Sequence, residues 1–175
     1  MKKICLPLVI SIILFLNLFG PLVLAVPQLN QTKNIIIVDD EGDGDVTTIQ
    51  AAVNQAQEGD IINVYSGTYQ ETILIETNGI TIEGINYELG TGTGSDYPVI
   101  CGISTGDVVR INAQEITMTG FIIQGSGHDF YDAGIHLKND NNHIIMNGLT
   151  GNFYGIVISE GDNNIIEGNY LIGNI

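Results

Sequence analysis

The sequence predicts an all-β solenoid, a parallel β-helix closed at its N-terminal end by a strand and a short helix. Three observations predict it. First, the chain repeats: Asn141-Asn142-His143-Ile144-Ile145-Met146-Asn147 aligns with Asn163-Asn164-Ile165-Ile166-Glu167-Gly168-Asn169 at an offset of 22 residues, and the same offset carries Asn152 onto Asn174. Second, apolar residues come as pairs two apart, followed by a further apolar residue. The step is seven from Ile75 to Ile82, Ile111 to Met118 and Leu137 to Ile144, and eight from Ile158 to Ile166. A spacing of two places both members of a pair on one face of a strand, and no helical period fits these segments. Third, asparagine supplies nine of the 37 residues from Asn139 to Ile175, at matched offsets.

A unit of 21 to 22 residues with short strands and polar turns cannot bury its apolar face alone. Winding the chain so that each unit sits about 4.8 Å above the last buries those faces in a common tube. The sets Ile73/Ile75 with Ile80/Ile82, Val109/Ile111 with Ile116/Met118, Ile135/Leu137 with Ile144, and Ile156/Ile158 with Ile166 are then successive rungs. Asparagines at matched offsets stack into ladders and hydrogen-bond along the coil axis. An unpaired buried amide is costly, so their first role is structural.

The N-terminal part has a different pattern. Asn34 to Val38 and Ile61 to Tyr65 read as strands. Between them Thr47 or Thr48 is placed to cap a short helix with Ile49, Ala52, Val53 and Ala56 on one face, ended by Gly59-Asp60. A strand and an amphipathic helix across the open end would protect its unpaired backbone. Earlier still, Lys2 and Lys3 precede an uncharged apolar run from Ile4 to Leu24, with small residues at Ala25, the pattern of a cleaved export signal. Pro7, Asn17, Gly20 and Pro21 weaken the rival reading of an uncleaved membrane anchor, which is the one membrane contact the sequence offers. The expected organisation is a signal peptide over residues 1–25, a linker over 26–34, a cap over 35–72 and coils over 73–175.

Charge and cysteine content narrow the function classes. The chain has 5 basic and 20 acidic side chains, a net charge of −15. Removing the leader takes Lys2 and Lys3 but no acid, leaving 3 bases against 20 acids, or −17. Nothing in that balance could neutralise a row of phosphates, which excludes a nucleic-acid partner. Loss of Cys5 leaves Cys101 alone, so the exported chain has no internal disulfide. Asn30-Gln31-Thr32 matches an N-glycosylation acceptor, relevant only in a host that performs that reaction.

Four further segments form a recognisable series: Val38-Asp39-Asp40-Glu41-Gly42, Thr48-Ile49-Gln50-Ala51-Ala52-Val53, Glu58-Gly59-Asp60-Ile61-Ile62-Asn63-Val64, and Gly67-Thr68-Tyr69-Gln70-Glu71. With the later Gly-Ile-x-Leu and Asn-Asn-x-Ile repeats they resemble right-handed parallel β-helix proteins of the pectin-lyase-like fold. The nearest resemblance is to the secreted NosD-type, carbohydrate-binding and sugar-hydrolase-like (CASH) group of archaeal surface proteins. It spans nearly all of residues 35–175 and implies a fold and an extracellular or cell-surface setting. It implies no one activity, because that fold carries lyases, hydrolases, esterases, epimerases, adhesins and inert spacers. The chain stops in mid-coil just after Asn174, so the sequence is expected to be a piece of a longer surface protein.

Chemistry would need polar groups on an outward face. A glycosidase requires two carboxyls flanking the scissile bond, and a lyase a base plus a cation. The best local cluster is Gly127-His128-Asp129-Phe130-Tyr131-Asp132, which makes His128, Asp129 and Asp132 the catalytic candidates; the alternative is a hydrophilic turn. Arg110, the one arginine, should point outward as a surface charge or a clamp for a substrate carboxylate. Asp39, Asp40, Asp43 and Asp45 are candidate calcium ligands, since dense carboxylate oxygens suit that ion, or else a solvated acidic turn. The NosD resemblance brings in copper, but His128, His136, His143, Met118, Met146 and Cys101 are scattered along the chain, with Met118 in an inward slot and His136 facing out. Phe130-Tyr131 and Phe153-Tyr154 each precede a coil strand and could accept sugar faces, or else pack the turn as an aromatic ladder. The expected function is a secreted or cell-surface module, structural, adhesive or polysaccharide-binding, without catalysis. The alternative is a polysaccharide lyase, hydrolase or epimerase completed by further coils, and more remotely copper assembly. The expected partner is a polysaccharide or cell-envelope glycan.

Overall fold

A computed structural model describes residues 33–90 and 96–175, which belong to one compact unit running from Thr32 to Ile175. The leader and the Asn30 acceptor lie outside the described residues. The chain winds into a parallel β-helix. Its first coil contributes β1 (Ile35–Val38) and then helix α1 (Ile49–Gln55). Coil two carries β2 (Ile61–Val64), β3 (Thr68–Gln70) and β4 (Ile73–Ile75), and coil three β5 (Thr81–Gly84), β6 (Val99–Cys101) and β7 (Val109–Ile111). Coil four carries β8 (Thr117–Thr119), β9 (Ile122–Gln124) and β10 (Ala133–Leu137). Coil five carries β11 (His143–Ile145), β12 (Gly148–Thr150) and β13 (Tyr154–Ile158), and coil six β14 (Ile165–Glu167) and β15 (Tyr170–Ile172). These strands stack into three wholly parallel sheets, A (β1-β2-β5-β8-β11-β14), B (β3-β6-β9-β12-β15) and C (β4-β7-β10-β13).

The predicted apolar sets are the real rungs. On sheet C, Ile73, Val109, Ile135 and Ile156 lie over one another, as do Ile75, Ile111, Leu137 and Ile158. On sheet A the column runs Ile62, Ile82, Met118, Ile144, Ile166, and on sheet B Tyr69, Ile100, Ile123, Leu149, Leu171. Most of these side chains are fully buried, so the tube is a dry core of stacked β-branched and aliphatic residues. Strands β1 and β2 open sheet A and β3 opens sheet B, so much of the segment read as a cap is also coil.

Ten corners from Gly79 onward follow one local rule. A residue in the left-handed region turns the chain, and the next residue points inward. Between sheets A and B the pairs are Gly120-Phe121, Met146-Asn147 and Gly168-Asn169; between sheets C and A they are Gly79-Ile80, Glu115-Ile116, Asn141-Asn142 and Asn163-Asn164. Between sheets B and C they are Gly125-Ser126, Gly151-Asn152 and Gly173-Asn174. The inward asparagines reach one layer back. Asn142 Oδ1 accepts from Ile116 N (3.0 Å), Asn147 Oδ1 from Phe121 N (3.1 Å) and Asn152 Oδ1 from Ser126 N (3.2 Å). The next layer repeats the move, with Asn164, Asn169 and Asn174 accepting from the backbone N–H of Asn142, Asn147 and Asn152. Asn147 Nδ2 also donates to Met118 O and to Asn169 Oδ1, so the amides form ladders parallel to the coil axis.

Helix α1 covers the N-terminal end with Ile49, Ala52 and Val53 buried. Thr48 caps it, its side chain accepting from Ala51 N. The Glu71 carboxylate closes the same end bidentately, accepting from Ile49 N (2.8 Å) and Gln50 N (2.9 Å). A carboxylate there satisfies two N–H groups that a helix start leaves orphaned. Asp60 holds the other end of the segment. Hydrogen bonds to it, foremost from Gln57 N and then from Asn34, outweigh its burial and keep its carboxyl below the usual range.

Candidate functional site

Function-bearing side chains gather in two places, the corner between sheets B and C and an acidic cluster near the N-terminal end. The corner widens in coil four, where residues 125–132 form an eight-residue loop between β9 and β10. Within it Asp132 Oδ2 accepts from Asp129 N (2.9 Å), and a Cβ on Gly127 would overlap the Asp132 carboxylate. Asp132 therefore shapes the loop, while His128 and Asp129 face solvent. The loop is tied to coil three by Gly127 N donating to Gly106 O (2.8 Å).

The loop presents Phe130 at 71% exposure and Tyr131 at 54%. Their rings meet edge to face at 4.3 Å. Tyr131 has φ +80°, a region that a bulky side chain avoids. One layer on, Phe153 and Tyr154 form a second edge-to-face pair at 4.9 Å, half-buried. The two pairs are not equivalent rungs. Tyr154 lies opposite Ala133, so Phe130-Tyr131 stands on the inserted loop while Tyr154 begins a strand. The four rings therefore do not stack as an aromatic ladder of equivalent rungs.

Along the same corner the buried Asp107 organises a network across three coils. Its Oδ1 accepts from Ala133 N (3.0 Å). Its Oδ2 meets Arg110 Nε (2.8 Å), Arg110 Nη2 (2.7 Å) and His136 Nδ1 (3.0 Å). The far ring nitrogen, His136 Nε2, is 2.8 Å from Ser159 Oγ. His136 sits on the outward face of β10, as expected, yet it is 5% exposed, because Asp107 from coil three and Ser159 from coil five close over its ring. With the Nδ1 proton shared with Asp107, Nε2 is left to accept from the exposed Ser159 hydroxyl. That is the connectivity of a hydroxyl–imidazole–carboxylate relay. Arg110, the expected outward cation, lines a shallow groove with Thr72, Leu74, Ile103 and Thr105 while its guanidinium neutralises Asp107.

The acidic cluster forms where the loop after β1 meets the loop between β5 and β6. Carboxylate oxygens of Asp39, Glu41 and Glu88 lie within 4.8 Å of one another. Asp40 stands beside them, and its hydrogen bond and charge push the Glu41 carboxyl up to about 7. Tyr69 is also raised, by burial first and then by the charges of Asp40 and Asp39. Of the calcium candidates, Asp39 joins the cluster and Asp40 borders it. Asp43 donates its N–H to Asp39 Oδ2 (2.8 Å), and Asp45 Oδ2 is engaged by Ile37 N (2.9 Å). Glu88 carries no local motif and was invisible in the sequence.

The copper candidates remain apart: Met118 is core, Met146 is exposed, His136 is bound to Asp107 and Cys101 Sγ accepts from Gln124 Nε2 (3.0 Å). Among the described residues no helix is long and apolar enough to cross a membrane. No family model and no curated protein matches the chain.

Proposed function

We propose that the protein is a secreted or cell-surface β-helix module that binds a polysaccharide strand along the corner between sheets B and C. The observation that carries the reading is the Phe130-Tyr131 pair. Two large rings stand in solvent on an inserted loop, one of them on left-handed backbone that costs about 1–2 kcal/mol. Packing does not require either ring there, and strain kept at an exposed position points to use. Aromatic faces stack on the apolar faces of sugar rings, while the Tyr hydroxyls remain free for polar contact. Phe153 and Tyr154 offer a second pair one layer on. The export-signal pattern of residues 1–25 and the resemblance to NosD-type, carbohydrate-binding and sugar-hydrolase-like proteins support the setting and the ligand class.

Two substitutions test the reading through opposite signs. Tyr131→Gly relieves the backbone and should leave the fold as stable or more so, yet weaken retention on an immobilised polysaccharide panel. Phe130→Ala should weaken it further. If wild type is retained on no glycan, or both variants are retained as well as wild type, the binding role is lost.

One observation favours a second reading, removal of acyl groups from an esterified glycan. Ser159 Oγ would attack the ester carbonyl, its proton passing through His136 Nε2 to the departing alcohol, and water would then release the acyl group. Against it, Arg110 already neutralises the carboxylate that would stabilise the imidazolium. A fluorophosphonate probe decides: labelling of Ser159 that disappears in His136→Asn supports this chemistry, and no labelling assigns the network to structure alone.

A further inference from the structure

We propose that Asp39, Glu41 and Glu88 hold a calcium ion that clips the first coil to the third, independently of any glycan bound elsewhere. The cluster is more than a group of surface acids, because Asp39 is fully buried and its Oδ1 has no hydrogen-bond donor. The other oxygen is satisfied by Asp43 N at 2.8 Å, which fixes the carboxylate's orientation. An ionised carboxylate removed from water costs several kcal/mol unless a cation or donors compensate it. Asp40 Oδ1, next to it, is likewise buried with no donor.

The chemistry of the set selects the ion. All the oxygens are carboxylate and therefore hard, which suits calcium or magnesium rather than copper or zinc. They lie within 4.8 Å of one another, so one calcium ion with bonds of about 2.3–2.6 Å could reach all three carboxylates. Magnesium demands a near-ideal octahedron and gives up its water reluctantly, so carboxylates gathered from two separate loops favour calcium. The surrounding backbone also makes room for carboxylates. A Cβ on Gly67, in coil two, would overlap the Asp40 carboxylate, and one on Gly90 would overlap that of Asp43. Asp39 and Glu41 follow β1, whereas Glu88 sits in the long loop after β5, two strands away in sheet A. One ion would therefore bridge three layers at the end where the solenoid begins.

Thermal unfolding of the purified protein tests the proposal, with calcium alone as the probe. In 10 mM calcium chloride the midpoint should rise by about 5 °C over the same protein in EDTA, and by less than half as much in 10 mM magnesium chloride. Glu88→Gln and Glu41→Gln should each abolish most of the calcium shift, while their midpoints in EDTA stay at or above wild type because repulsion is relieved. A midpoint that calcium and magnesium raise equally, or not at all, overturns the site. So does a full calcium shift retained in both variants.

Discussion

The corners of the early coils and of the late coils do the same job with opposite chemistry. In coils three and four the inward residues of the corners that flank sheet A are Ile80, Ile116 and Phe121, all fully or almost fully buried. In coil five Asn142 and Asn147 take the positions of Ile116 and Phe121, and Asn152 takes that of Ser126, all equally buried. The apolar corner contributes hydrophobic burial but offers nothing to the backbone N–H one layer back. The asparagine corner gives up that burial and supplies the acceptor. An amide can therefore sit in a dry tube when each layer completes the hydrogen bonds of its neighbour. An apolar corner needs only a neighbour of the right size.

This difference can be broken from either side by substitution, followed by denaturant midpoints. The largest effect is expected for Phe121→Ala, which empties a buried ring volume and should cost about 3–5 kcal/mol. Asn147→Ala should cost about 2–3 kcal/mol, because it strands the Phe121 N–H inside the coil and removes a hydrogen bond to the Met118 carbonyl. Asn169→Ala removes the same bonds one layer later, where the residue is half-exposed, and should cost about 1 kcal/mol. If Asn147→Leu proves as stable as wild type, the asparagines are dispensable volume and the comparison fails. Met146→Gly works in the other direction. Met146 occupies a left-handed position where coils four and six use Gly120 and Gly168, so the change should stabilise by about 0.5–1 kcal/mol.

Acid should separate the regions more gently. Asp60 is held below its ordinary value, so its contribution is complete above about pH 4 and falls away as pH drops through its folded value. Glu41 is raised to about 7, so its contribution is complete below about pH 4 and is lost as pH climbs through 7. Hydrogen-exchange protection near the N-terminal end should therefore peak near pH 5, after correction for intrinsic rates. The corners at Met146-Asn147 and Gly151-Asn152 carry no titrating side chain and should show no such peak.

Local spacing made the coil legible, since a strand pair two apart and an asparagine at a fixed offset declare both face and layer. The rungs from Ile73 to Ile156 and the ladder from Asn147 to Asn169 followed directly. The sites were harder to read, because their partners come from different coils joined by loops of irregular length. His136 faces outward by alternation, and the hydrogen bonds that hold its ring come from Asp107 and Ser159 on neighbouring layers. Asp39 stood out within an acidic run, but Glu88 reaches it from a loop that breaks the repeat. Phe130-Tyr131 and Phe153-Tyr154 look alike as dipeptides, yet one stands on an insertion and the other begins a strand.

Everything depends on Ile145 lying directly beneath Glu167 in adjacent layers of sheet A. Cysteines at those two outward positions, with Cys101→Ser as background, measure that register by disulfide formation, since the bond needs Cα atoms within about 7 Å. The account predicts rapid intramolecular oxidation of Ile145→Cys/Glu167→Cys and none for Ile145→Cys/Ile166→Cys, whose second thiol points the other way. Preferential oxidation of the shifted pair, or of neither, would contradict the stacked coil.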